Sequence, residues 1–134
     1  MHDMLCGKLL GDGCLTKQTD RKPRFQFTHC KKDVGWSINC FEQLSVFLPL
    51  NPPKYRRISD VRIISGYTES YIVQSRTSEE FCQLYELWYP HEKKELPFAY
   101  IEKHFTDKTL AWWYQDDGHL KNSERHSQKN HHLN

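Results

Sequence analysis

Two stretches of the sequence combine a short apolar run with an acidic end: LCGKLLGDGCL at residues 5–15 and LAWWYQDDGHL at residues 110–120. Each pattern predicts a helix that ends at Asp-Gly, with Asp12, Asp116 and Asp117 at the helix C-termini. Since a helix C-terminus carries about half a negative charge, these carboxylates need compensation. Carboxylates and terminal carbonyls are the hard oxygen ligands that Mg²⁺ prefers. One Asp-Gly is more simply a polar helix stop, but its repetition favours a metal site.

Two glycines indicate how the acidic ends could meet. Gly7 and Gly11 are four residues apart and share one face of the first helix, which lets a second helix backbone approach closely. If helix 4–12 packs beside helix 107–117, Asp12 and Asp117 arrive at the same end. Paired carboxylates there could hold metal ions against a phosphodiester and stabilise its attacking and leaving oxygens.

Composition limits the compartment and the class of protein. The 134 residues fit one domain, or a domain plus a fragment, and 4 Trp, 7 Tyr and 7 Phe can fill a core. The five cysteines have no C-x-x-C spacing, which favours free thiols in a reducing intracellular compartment (cytoplasm, nucleoid or organelle matrix) over a secreted disulfide scaffold. No apolar run is long enough to predict a membrane span, and no signal-peptide pattern opens the chain.

The charge is unevenly spread along the chain. The formal net charge is +2, but residues 1–76 carry +5 and residues 77–134 carry −3. A basic first half suits a polyanion, of which nucleic acid is the usual one, although ordinary scatter of surface charge explains the asymmetry equally well.

The periodicity between the motifs predicts alternating helices and hairpins. Phe25 and Phe27 alternate with polar residues, as in a half-buried strand, and residues 33–47 have helical spacing. Thr106 can cap the last helix. The predicted helices are 4–11, 33–47, 79–88, a short helix or turn at 97–104, and 106–120; the predicted strands are 14–19, 24–29, 56–64 and 70–77.

The two motifs and the elements between them resemble the LAGLIDADG homing endonuclease family, in its single-chain, intron-encoded branch. LCGKLLGDG is similar to the first family motif, LAWWYQDDG to the second, and the likeness covers residues 4–121. The resemblance implies an α+β fold, in which an α-β-β-α-β-β-α unit forms an antiparallel four-stranded saddle that binds DNA and the motif helices form the central interface. It also implies that Asp12 and Asp117 are catalytic and bind Mg²⁺ or another divalent cation, with the backbone carbonyls of Gly11 and Asp116 as further ligands.

The chain departs from the family pattern in two places. Trp112 stands where the first motif has Gly7, so Ala111 is the expected small residue of the second helix and the interface is expected to be asymmetric. The residues after Gly118 are too few for a second saddle. The expected organisation is a first unit at residues 1–105, the second motif helix of an incomplete unit at 106–120, and a polar tail predicted to be disordered at 121–134.

In such a saddle, strand side chains that point away from the core face DNA. Arginine and glutamine read base edges, whereas lysine and arginine at the rim contact phosphates. Each candidate could equally be a solvated surface charge. The candidates for base contacts are Arg24, Gln26, Thr28, Arg56, Arg62, Gln74 and Arg76, and those for phosphate contacts are Arg21, Lys22, Lys54 and Arg57.

The sequence therefore leads to a metal-dependent, site-specific endonuclease that acts on double-stranded DNA with a long recognition site. A second chain, or a homodimer, could complete the site. The first alternative is a non-catalytic DNA- or RNA-binding relative, such as an intron maturase or a decayed endonuclease. A third hypothesis, a plain α/β protein, leaves the repeated motif unexplained.

Overall fold

The computed structural model describes the backbone of residues 1–128 and the side chains of residues 1–117. Five helices and four strands follow one another in the predicted order, with a single 3₁₀ turn before the second helix. The helices are α1 His2–Leu10, α2 Val34–Leu44, α3 Glu79–Trp88, α4 Phe98–His104 and α5 Asp107–Gln128, and the strands are β1 Gly13–Thr16, β2 Arg24–Cys30, β3 Lys54–Ser59 and β4 Tyr67–Gln74.

The four strands form one antiparallel sheet in the order β1-β2-β4-β3. The first hairpin joins β1 to β2 and the second joins β3 to β4, and the two hairpins pair through β2 and β4 at the centre. This arrangement confirms the predicted α+β fold with a four-stranded antiparallel saddle.

The core lies between one face of the sheet and the helices. Phe25 and Phe27 of β2 are fully buried, as their alternation with polar residues predicts, and Trp88 of α3 is fully buried with them. Helix α1 is buried from Met4 to Leu9, because the sheet covers one side of it and α5 covers another. The first motif helix is thus a central element of the core.

Helix α5 begins where the capping signal predicts. The Thr106 hydroxyl accepts a hydrogen bond from the Thr109 amide, and the Thr109 hydroxyl accepts one from the Thr106 amide. The helix continues to Gln128, beyond the expected range 106–120, so Asp116 and Asp117 lie inside α5 and not, as predicted, at its C-terminus. Of the tail that is predicted to be disordered, residues 121–128 are thus helical, and residues 129–134 lie outside the described part of the chain.

Two strands end earlier than the predicted ranges 14–19 and 56–64, because polar residues turn the chain. Strand β3 ends at Ser59, and the Asp60 carboxylate accepts the Arg62 amide at 3.0 Å in a turn that closes at Gly66, whose φ is +82°. Strand β1 ends at Thr16, because the chain turns through Asp20 at φ +63°. Arg62 therefore lies in a hairpin turn and not, as predicted, in a strand.

The five cysteines, all within the described residues, form no disulfide, and Cys6 and Cys40 are fully buried. The helices in the described part of the chain lack the combination of length and apolar character that a bilayer span requires.

Candidate active site at the paired helix ends

Asp12 lies at the junction between α1 and β1, where the chain has little freedom. A Cβ on Gly13 would lie 2.8 Å from the Lys8 carbonyl oxygen, so the turn out of the helix requires a glycine. The Lys94 ammonium donates to the Gly13 carbonyl at 2.8 Å from a loop between α3 and α4. The Asp12 side chain remains 25% exposed. The backbone at Asp12 is therefore fixed while its carboxylate can reach a ligand in solvent.

The close approach of α1 and α5 depends on the two predicted glycines. A Cβ on Gly7 would lie 2.8 Å from the Thr109 carbonyl oxygen and 2.9 Å from Trp112 Cβ. Gly11 is equally close to Asp116. Ala111 lies on the exposed side of α5, so Thr109, Trp112 and Asp116 make the contact instead. The interface is asymmetric as expected, but through different residues of the second motif.

A buried polar cluster joins the two motif helices to β2 and α2. The Lys8 ammonium is fully buried and lies 2.8 Å from Asp116 Oδ1, which also accepts the Trp36 indole N–H at 2.8 Å. His29 Nε2 lies 3.0 Å from Lys8 Nζ, 3.3 Å from Asp12 Oδ2 and 3.4 Å from Asp116 Oδ1. His29 Nδ1 is 2.6 Å from the Ser37 hydroxyl.

Asp116 is ionised although it is fully buried. Burial alone would raise the pKa of Asp116, but the hydrogen bond with the His29 side chain, the Lys8 ammonium and the hydrogen bond from the Asp12 amide lower that pKa to about 2. Its Oδ2 accepts the backbone N–H of Asp12 at 3.0 Å. Both carboxylate oxygens therefore already have donors within the protein.

Asp12, His29 and Asp116 each place one potential metal-ligand atom within 4.8 Å of the other two. Because Asp116 is already paired with Lys8, Asp12 is the member of this group whose carboxylate is best placed for an additional ligand. Asp117 is partly exposed and is not a member of this group of three. Carboxylate oxygens such as those of Asp12 and Asp117 are hard ligands, the type that a divalent cation prefers.

The sheet face opposite the core carries most of the residues predicted to contact bases. Gln26 and Gln74 are directly opposite each other and their amides are hydrogen-bonded at 3.1 Å. Residues directly opposite each other in an antiparallel pair lie on the same side of the sheet. We call the side that carries Gln26 and Gln74 the polar sheet face. By strand register it includes Thr16, Arg24, Gln26, Thr28, Lys54, Arg56 and Gln74.

Other predicted DNA contacts have different positions. Arg21 and Lys22 line a shallow pocket together with Arg24 at the β1–β2 end of the polar sheet face. Arg57 points to the opposite side of the sheet, where its guanidinium lies 3.6 Å from the ring centre of Tyr67.

The positions of two further candidates are set by local hydrogen bonds. Arg62 forms a two-bonded ion pair with Asp60 in the exposed turn. Arg76 is exposed beyond the end of β4, where its amide donates to the Pro49 carbonyl.

Five residues of the site were not among the predicted ones: Lys8, His29, Trp36, Ser37 and Lys94. Two of them could have been found from the sequence. Lys8 is a charged residue inside an apolar helix. His29 follows Phe25 and Phe27 at the next of the alternating buried positions of β2. Lys94 reaches the site from a loop distant in sequence, which no local pattern indicates.

Two similarity findings agree with this architecture. An uncharacterized protein of Methanocaldococcus jannaschii, MJ1098, is 30% identical over 122 residues, which are 90% of this chain and 44% of that protein. The solved structure of the homing endonuclease I-WcaI bound to its DNA recognition sequence superposes with a TM-score of 0.67 and 20% identity, covering 87% of this chain and 50% of that one. The chain thus spans about half the length of each.

The family model described as the LAGLIDADG DNA endonuclease family matches residues 2–134. This match covers both motif helices, the four-stranded sheet and the glycine-mediated contact between α1 and α5. The chain belongs to the LAGLIDADG DNA endonuclease family.

Proposed function

We propose that this chain is one unit of a metal-dependent homing endonuclease that binds duplex DNA on the polar sheet face and hydrolyses phosphodiesters where the end of α1 meets α5. The observation that carries the proposal is the placement of Asp12: its carboxylate is partly exposed while its backbone is held by α5. Family membership supports the activity, and the DNA-bound structure of I-WcaI supports the ligand.

The carboxylates of Asp12 and Asp117 would hold Mg²⁺ or another divalent cation, with the backbone carbonyl of Gly11 as an additional ligand. The Asp116 carbonyl, the other predicted backbone ligand, lies within α5, where helical carbonyls accept backbone hydrogen bonds. The bound ion supplies charge neutralisation at the phosphate and lowers the pKa of coordinated water. Asp12 follows α1 and Asp117 lies in α5. The packing of the two helices would therefore set the position of one carboxylate relative to the other.

The polar sheet face supplies the binding residues. Arg24, Gln26 and Gln74 form a contiguous group of side chains suited to base edges in the major groove. Arg21, Lys22 and Lys54 at the rim suit phosphates, which position DNA without specifying sequence. Since the described residues contain one sheet, a second chain or a second unit would complete a long recognition site.

The test is cleavage of duplex DNA selected by the purified chain from a randomised library, with Mg²⁺, with Mn²⁺ and with EDTA. Cleavage should require the cation, and Asp12→Asn or Asp117→Asn should reduce the rate by about 100-fold, since positioning dominates this chemistry. Asp107→Asn, at the exposed start of α5, is the matched control and should cleave normally. Cleavage that survives both substitutions would contradict the assignment.

A non-catalytic DNA- or RNA-binding relative is the second candidate. The observation that favours it is the buried Lys8–Asp116 ion pair, which engages one of the carboxylates beside Asp12 within the protein. Selective binding of DNA or of structured RNA without cleavage, at any protein concentration, would favour this candidate.

A further inference from the structure

Lys8 is the most unusual residue of the first motif helix. Its ammonium has no exposed surface, lies 2.8 Å from Asp116 Oδ1, and is 4.4 Å from the ring centre of Phe27. A buried ammonium is costly unless a counter-charge and hydrogen bonds compensate it. Its compensation comes from α5, 108 residues away in sequence, so the ion pair forms only when the two motif helices pack together.

Asp116 connects this ion pair to Asp12. Oδ1 accepts from Lys8 and from the Trp36 indole, while Oδ2 accepts the backbone amide of Asp12 at 3.0 Å. Lys8 and Trp36 thus bind Asp116 Oδ1, and Asp116 Oδ2 faces the turn that contains Asp12. Gly11 makes this geometry possible, because a Cβ there would lie 2.5 Å from Asp116 Oδ2.

Replacement by apolar residues would preserve packing but not this connection. A buried ion pair is often replaced by apolar residues of similar volume without loss of stability, so stability alone does not explain the pair. An apolar side chain at position 116 cannot accept the Asp12 amide. The feature that distinguishes the ion pair from an apolar contact is therefore its hold on Asp12.

We propose that Lys8 and Asp116 are positioning residues, whose buried ion pair fixes the Asp12 amide and so orients the Asp12 carboxylate toward a divalent cation. In this proposal Asp12 and Asp117 would contact the cation. The Asp116 side chain would act indirectly, through the hydrogen bond that it accepts from the Asp12 amide. The role at the cation rests on the proposed function, whereas the hold on the Asp12 amide does not.

The decisive variant is the double substitution Lys8→Met/Asp116→Leu, which removes both charges and keeps the volume. It should fold with reduced stability, because the Trp36 indole and the Asp12 amide lose their acceptor. Hydrogen exchange of the Asp12 amide, followed by NMR, should accelerate at least roughly tenfold through loss of a charge-assisted hydrogen bond. The Mn²⁺ concentration that gives half-maximal paramagnetic broadening at Asp12 should rise several-fold. In cleavage, kcat should fall while the KM for DNA stays unchanged.

The matched control is Lys31→Met/Glu69→Leu, which removes an exposed ion pair of 3.2 Å at the far end of the sheet. It should leave the Asp12 amide and the Mn²⁺ titration unchanged. If the first double variant does not fold, Lys8→Met/Asp116→Asn also removes both charges but keeps the shape and the amide oxygen of the side chain at position 116, and it should show the same changes to a smaller degree.

A folded Lys8→Met/Asp116→Leu variant with normal exchange at Asp12 and a normal Mn²⁺ titration would overturn the proposal. So would a folded Lys8→Met/Asp116→Asn variant with both readouts unchanged, where the first double variant does not fold. If the wild-type chain neither binds Mn²⁺ at Asp12 nor cleaves DNA, the proposed function fails, and the exchange of the Asp12 amide still decides the positioning role.

Discussion

Gly11 of α1 lies against the carboxylate of Asp116 on α5 so closely that a Cβ on Gly11 would come within 2.5 Å of Asp116 Oδ2 and 2.7 Å of Asp116 Cβ. One turn earlier, Gly7 has the same relation to the Thr109 backbone. The distance between the motif helices is therefore set by two glycines, and the candidate active site lies at the end of this contact.

Gly7→Ala should destabilise the protein by about 1–3 kcal/mol, because the new methyl group meets a backbone carbonyl that cannot move independently of α5. Gly35→Ala is the matched control, since no heavy atom lies within 4 Å of its Cβ position in α2. That variant should be neutral or more stable by about 0.5–1 kcal/mol through helix propensity. Urea unfolding measures both. Equal stabilities for the two variants would contradict the close contact.

This contact shows what the sequence could and could not predict. Helical spacing alone indicates that Gly7 and Gly11 share a face, and this prediction is confirmed. The face of α5 that meets them depends on how a second element packs, and an apolar run such as LAWWY gives several choices. For that reason Ala111 was expected at the interface, whereas Trp112 and Thr109 are buried there.

The buried cluster was beyond prediction for a related reason. A lysine inside an apolar helix can point to solvent or be buried, and only a carboxylate brought from 108 residues away decides which. The end of β3 near Asp60 also differs from the predicted one. The Asp60 side chain accepts a backbone N–H and so competes with the hydrogen bonds between the strands.

Arg24→Ala should weaken DNA binding and reduce base preference, because Arg24 lies on the polar sheet face beside Gln26. Arg57→Ala should leave affinity unchanged, since Arg57 stacks on Tyr67 on the other side of the sheet. Both variants lose one positive charge, so a difference between their DNA affinities reports which side of the sheet the arginine occupies. Fluorescence anisotropy with a selected duplex measures both affinities, and equal losses would contradict the assignment of the binding face.

Lys22→Ala should weaken binding to all sequences alike and lower the slope of log affinity against log salt by about 0.9, the value for one phosphate contact. Lys22 is exposed in the pocket at the end of the polar sheet face, which suits a rim contact. Salt titrations of Lys22→Ala and Lys103→Ala, a lysine on α4, test this. The salt slope of Lys22→Ala should differ from that of the wild type, and the slope of Lys103→Ala should not. If both variants change the slope, or if neither does, the result would argue against a phosphate contact at Lys22.

Stability should fall at alkaline pH in part because of two buried thiols. Burial raises the pKa of Cys6 to about 11 and that of Cys40 to about 12, from 9.0 in an exposed thiol. Above pH 9 the unfolded chain releases these protons and the folded chain keeps them, so the stabilisation is complete below pH 9 and is lost toward pH 11–12. The loss is at most about 1.4 kcal/mol per pH unit for each thiol.

Urea unfolding at pH 7.5, 9 and 10 measures this effect. Cys40→Ala should lower stability at neutral pH and make the decline between pH 9 and 10 shallower, because one ionising group is removed from the unfolded chain. Cys30→Ala, at an exposed position, should leave the slope unchanged. Identical slopes in all three proteins would show that the buried thiols do not contribute.

The free protein should be a monomer, because α1 is already paired with α5 and its buried charge suits that partner alone. In a symmetric pair of α1 helices, Lys8 would face a second lysine and Gly11 a second glycine, with no carboxylate in the place of Asp116. Removing one partner of a buried ion pair costs about 3–5 kcal/mol, which opposes exchange of α5 for a second copy of α1. Sedimentation equilibrium from micromolar to tens of micromolar concentrations should give one chain mass. A dimer under these conditions, lost in Lys8→Met/Asp116→Leu but kept in Lys31→Met/Glu69→Leu, would show instead that the ion pair joins two chains.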